Sequence, residues 1–109
     1  MREDSTINER GWALESAVER KRKFPEFELP DEFLLQSLRA GSLVKLLFLF
    51  PVRKGSDETQ CERMWVRISS IDGQSLVGAL SNDPQSSTNL KLGDQVAFSK
   101  DHISAIYTG

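Results

Sequence analysis

The sequence predicts an α+β fold: an amino-terminal helix and a short second helical turn packed on a four- to five-stranded antiparallel curled sheet, a small half-open barrel. Three observations carry this expectation. Apolar residues recur at helical spacing as far as Phe24 and at a spacing of two from Leu43 onward. Asp72-Gly73 stands between two alternating runs, which is a strong hairpin signal. The runs after Leu43 are short and consecutive, so they should pair antiparallel and curl, with the helix covering an open face. A chain of 109 residues fits one domain, read as helical over 5–24, link and helical turn over 25–41, and sheet over 43–107.

In the first segment Ile7, Gly11, Leu14, Val18 and Lys21 share a helical stripe that Ala13, Ala17 and Phe24 widen. Ser5 or Thr6 supplies a capping hydroxyl, Gly11 costs about 1 kcal/mol relative to alanine, and Pro25 ends the helix. Glu3, Asp4 and Glu9 lie early and Arg20–Lys23 late, each complementing the helix dipole. Pro25 and Pro30 bracket an acidic extended link. Pro30-Asp31 then starts a helical turn that Gly41 closes.

Residues 43–52 have Val44, Leu46, Phe48, Phe50 and Val52 on one side and Leu43, Lys45, Leu47 and Leu49 on the other. Such a strand is buried on most of both faces and therefore central. Residues 53–60 form a polar connection. In 61–71 Met64, Val66 and Ile68 alternate with Arg63, Trp65 and Arg67. "SLVGAL" is the return strand after Asp72-Gly73, "QVAFS" a fourth strand, and "ISAIY" a fifth strand or a single turn. The period-two core is Val44, Leu46, Phe48, Phe50, Met64, Val66, Ile68, Leu80, Val96 and Phe98.

Composition narrows the function. Hydrophobic residues are 39% and charged residues 28%, as in an ordinary globular protein, and the net charge of −2 opposes a general grip on nucleic acid. One cysteine cannot form an internal disulfide or a thiolate zinc site, which suits a reducing cytoplasm. "MREDSTINER" has no apolar secretory core, and "LVKLLFLFPV" is about half the length of a membrane span.

Cys61, His102 and Asp101 are the residue types of a nucleophile, base and orienter, but adjacent Asp101 and His102 would point to opposite faces of a strand. Cys61 also lacks a helix amino terminus to stabilise its thiolate. Neither a metal-ligand spacing nor a glycine-rich phosphate loop occurs. "SNDPQ" reads as an Asx turn in which Asn82 or Asp83 bonds the backbone ahead of Pro84. "RKRK" is a solvated helix end that Glu15 and Glu19 can neutralise. Gly78, inside a strand, marks either barrel closure or the approach of a partner backbone. Trp12 and Trp65 sit at the edges of their apolar stripes. Trp65 beside Arg63 and Arg67 is the best partner-binding patch in the sequence.

The words "ERMWV", "VGALSNDP", "LKLGDQVAF" and the closing "IS" fall in an order and at gaps that resemble a widespread bacterial domain family of unknown function. Its pattern runs E-x-M-W-V, V-G-x-L-x-N-x-P, L-x-x-G-D-x-V-x-F and I-S. "FPEF" and "LVKLLF" resemble the same family's entry segment and first long strand. The likeness spans about residues 24–104. It departs after Ser104, where Ala105 and Ile106 replace the family's frequent Asp-Trp. The resemblance implies a helix-plus-curled-sheet domain of the bacterial cytoplasm and supplies no catalytic residues. Some members look like immunity proteins encoded beside secreted toxins.

The expected function is a non-catalytic cytoplasmic protein-binding module, of immunity type if the likeness extends that far. Its partner-binding residues would be Trp65, Arg63, Arg67 and Gly78. No catalytic residue, metal or cofactor is expected, nor is a membrane partner, and the domain is expected to be a monomer. The alternative is a nucleic-acid-binding small barrel with Trp65 as a stacking platform. An enzyme ranks last, since no nucleophile–base or metal constellation occurs.

Overall fold

Strand pairing begins earlier than the helical stripe implies. The computed structural model describes residues 10–53, 55–85 and 89–108, so the start of the expected helix, residues 5–9, lies outside the described residues. Gly11 takes φ +87°, a left-handed conformation that ends any continuous helix there. The chain then enters a short strand, β1 (Ala13–Glu15), antiparallel to residues 47–49. Helix α1 (Ala17–Lys23) follows, seven residues long, and the helical reading of 11–16 is thereby corrected. The cue for its start was present in the sequence. Ser16-x-x-Glu19 is a capping-box pattern, and Ser16 Oγ accepts the Glu19 N–H at 3.1 Å. The basic residues Arg20–Lys23 do occupy the last turn, with Pro25 beyond it.

Helix α2 (Glu32–Gln36) is capped by Asp31, whose carboxylate accepts the Phe33 N–H at 2.7 Å. Leu35 and Leu38, partly buried, pack against the core of the sheet.

The sheet is a curled antiparallel half-barrel on which the two helices pack. Its remaining strands are β2 (Leu43–Pro51), β3 (Thr59–Asp72), β4 (Ser75–Leu80), β5 (Gln95–Ser99) and β6 (Ile103–Ile106). The order is β1-β2-β3-β4-β5, and β6 pairs with β2. Consequently β2 is bonded along both edges: β3 runs along one, and β1 and β6 share the other. "ISAI" therefore forms a strand. A 3-10 turn, Lys100–His102, carries the chain from β5 back to β2. The expected hairpin forms with Gly73 and Gln74 in its two-residue loop, and Gly73 takes φ +63°.

Period two sets the core. All ten residues of the expected core are buried, and Trp12, Leu76, Leu90 and Ile103 join them. Phe48 has no exposed surface, and the Trp12 ring lies 5.5 Å from its own, tilted by 47°. Leu47, on the opposite face of β2, is also fully buried. It stands between Glu15 on β1 and Arg63 on β3, while the other outer-face residues, Leu43, Lys45 and Leu49, are half-buried. No helix among the described residues is long and apolar enough to cross a membrane.

The β3–β4 ladder is irregular near its middle. The register shifts between Ile68 and Ser70, and Gly78 pairs with Ile68 on one side and Val96 on the other. A Cβ at Gly78 would stand 2.5 Å from the Arg67 carbonyl oxygen and 2.6 Å from Val66 Cγ1, so only glycine fits without displacement.

Two substitutions test this architecture by urea denaturation. Phe48→Ala should lower stability by about 3–5 kcal/mol, as expected for truncating a fully buried ring. Gly78→Ala should lower it by about 1–3 kcal/mol, the usual cost of overpacking. Unchanged midpoints would contradict the strand assignment and the tight β3–β4 approach respectively.

Candidate surface around Trp65

The alternation of β3 turns Met64, Val66 and Ile68 into the core and leaves Arg63, Trp65 and Arg67 on the outer face. Across the ladder Arg63 pairs with Leu47, Trp65 with Lys45 and Arg67 with Leu43. Lys45 Nζ lies 4.8 Å from the Trp65 ring centroid, a cation–π contact. Tyr107 meets the same indole nearly at right angles (87°), with centroids 6.1 Å apart. Tyr107 is held there by its N–H, which donates to the Leu43 carbonyl at 2.9 Å just beyond β6. The residue nevertheless remains 58% exposed.

The cations of this face have little to neutralise them. Arg67 Nη1 donates to the Gly41 carbonyl at 3.0 Å. The Arg63 guanidinium lies 5.9 Å from the Phe27 ring, and Arg20 approaches that ring at 5.7 Å. Arg20 is paired with Glu15 through two bonds of 2.9 and 3.1 Å, which hold its guanidinium pKa above the ordinary value. Among the described residues no carboxylate lies within ion-pair distance of Lys45, Arg63 or Arg67.

Trp65 is fixed from behind by residues that sequence reasoning placed elsewhere. Pairing of β4 with β3 stops at Leu80 opposite Val66. Beyond it the Ser81 N–H donates to the Trp65 carbonyl at 2.8 Å, and Asn82 Oδ1 accepts the Trp65 N–H. Farther along, the Glu62 carboxylate accepts the Gln85 N–H at 2.9 and 3.2 Å. Asn82 thus extends the ladder by standing in for a backbone carbonyl, a correction to the local Asx turn expected ahead of Pro84. The signal was its position directly after a return strand, where an acceptor facing β3 continues the pairing.

The structure gathers Trp65, Arg63 and Arg67 on one face and leaves Gly78 apart. Gly78 is buried in the wall of the barrel, paired with the inward-facing Ile68. Trp12 is 6% exposed, with the Arg10 guanidinium 3.5 Å from its ring centroid, and belongs to the core.

Cys61 and His102 are not brought together. Cys61 lies on β3 opposite Leu49, whereas His102 precedes β6, on the other edge of β2. Loss of hydration pushes the Cys61 thiol up, and Arg20 and Arg63 only partly offset it. His102 Nδ1 accepts the Ser99 N–H at 3.0 Å, which locks the 3-10 turn between β5 and β6. No cluster of three potential metal ligands occurs among the described residues.

A putative ankyrin repeat protein of Neisseria meningitidis serogroup B is 35% identical over 63 residues, which cover 58% of this chain and 24% of that protein. The chain thus spans about a quarter of the length of the relative it matches. No solved structure matches significantly. Residues 11–107, nearly the whole chain, match a family described as "Uncharacterized protein conserved in bacteria" (DUF2314), and the chain belongs to that family.

Proposed function

We propose that the domain is a non-catalytic protein-binding module of the bacterial cytoplasm, and that the outer face of β2–β3 around Trp65 is its contact surface. The observation that carries this reading is a half-buried tryptophan set among an exposed tyrosine and three cations that no carboxylate among the described residues neutralises. Aromatic residues and arginine are the types enriched in interface anchors, because they bury much area and bond in a fixed geometry. Similarity to a protein named as a putative ankyrin repeat protein supports the same class. Within this class an immunity-type role, in which the domain docks on a toxin and blocks it, is the finer reading. A toxin gene next to the gene for this chain would support it.

Geometry in the described residues supports the non-catalytic reading. A nucleophile needs a base within hydrogen-bond reach, yet Cys61 and His102 flank different edges of β2 and His102 Nδ1 is occupied by backbone. Iodoacetamide should therefore modify Cys61 no faster at neutral pH than an ordinary thiol, and more readily as pH rises, because the raised pKa leaves little thiolate near neutrality. His102→Ala should not change that rate. Fast modification at neutral pH, abolished by His102→Ala, would reinstate a catalytic pair.

The surface is tested by affinity capture from nuclease-treated lysate of the native host, followed by calorimetry with the captured protein. Trp65→Ala should weaken binding by about 2 kcal/mol or more while leaving the amide spectrum folded. Equal binding by the variant would place the interface elsewhere.

A further inference from the structure

We infer that the partner accepted by this face presents an acidic segment, two carboxylates about 13 Å apart with an apolar side chain between them. This rests on reading the Trp65 face as a protein-binding surface and adds the chemistry of what it binds. Arg63 and Arg67 are four residues apart on one strand, both exposed, so their stems leave the sheet about 13 Å from each other. Trp65 stands midway between them, and Lys45 lies directly opposite it on β2.

The chain has 16 acidic and 14 basic residues, and still leaves these cations without a carboxylate among the described residues. Arg20, on the same side, is paired with Glu15. Arg63 beside Phe27 and Arg67 bonded to the Gly41 carbonyl are partly held before any partner arrives, which lowers the ordering cost of binding. A guanidinium offers a planar fork that matches a carboxylate, and the bonds formed are charge-assisted. Trp65 between the two arginines, with Tyr107 against its ring, offers apolar surface for the side chain that lies between the carboxylates.

A nucleic acid fits the face less well. Stacking requires an open ring face, but the Lys45 ammonium lies 4.8 Å from the Trp65 centroid and Tyr107 stands against the same ring. The net charge of −2 also opposes an extended polyanion. A second copy of the chain could offer Glu26, Glu28, Asp31 and Glu32, but contact between two different patches is head-to-tail and need not close into a dimer.

The test selects random twelve-residue peptides, by display, on the immobilised full chain and maps the best binder by backbone amide shifts. The expected peptides carry two Asp or Glu residues around a central apolar one and shift Lys45, Tyr107 and residues 63–67. Changing those acids to their amides should weaken binding by about tenfold or more, and Arg63→Gln and Arg67→Gln should each weaken it several-fold. Neutral or basic peptides seated on the same residues would overturn the acidic partner and leave the surface standing. Peptides that bind elsewhere, or no enrichment at all, would overturn both. Salt-sensitive shifts of the same amides by an oligodeoxythymidine, with acidic peptides inert, would assign the face to nucleic acid. Concentration-dependent self-association abolished by Arg67→Gln would assign it to a second copy.

Discussion

Hydrogen bonding of β2 along both of its edges is the constraint on which the rest of this molecule depends. The long partner β3 covers one edge, and the other is divided between β1 at one end and β6 at the other. Exposed strand edges are open to unwanted pairing, and this arrangement removes both edges of the most apolar strand. It also explains why the run from Leu43 to Pro51 tolerates apolar residues on each face. The inner row enters the barrel core, and Leu47 on the outer face is enclosed as well.

The same pairing builds the surface proposed for function. Lys45 on β2 meets Trp65 because β3 pairs on one side, and Tyr107 reaches that indole because β6 ends on the other, bonded to Leu43. Asn82 and Gln85 then hold the part of β3 that β4 leaves unpaired, so Trp65 is presented from a fixed backbone. Preorganisation of this kind suits recognition, since little order remains to be imposed on binding. The potential nucleophile and base, by contrast, are separated by the strand that organises everything else. His102 serves the turn that returns the chain to β2.

Much of the sheet was legible because period two is a property of the chain alone. Val44 to Phe50, Met64 to Ile68, Val96 and Phe98 all alternate, and burial follows the alternation. The amino-terminal segment was less legible. Ala13, Leu14 and Glu15 are among the best helix formers, and what makes them a strand is the edge of β2 they pair with, a tertiary fact. Ser16 with Glu19 carried a local cue, but the longer apolar stripe from Ile7 masked it. At the surface, shared outward placement of Arg63, Trp65 and Arg67 followed from alternation. The contributions of Lys45 and Tyr107 did not, because register between strands and the end of β6 are not written in either segment separately. Asn82 was misread for the same reason: its partner is 17 residues away.

Proton–proton contacts around the Trp65 indole, from a NOESY spectrum of the free domain, test the central claim most directly, since they report β3, β2 and the end of β6 at one point. The account predicts cross-peaks from the indole to the Lys45 methylenes and to the Tyr107 ring, with the Lys45 side chain shifted upfield by the ring current. A Lys45 side chain at random-coil shifts, with no contact between Trp65 and Tyr107, would contradict the pairing of β2 along both edges and the surface it assembles.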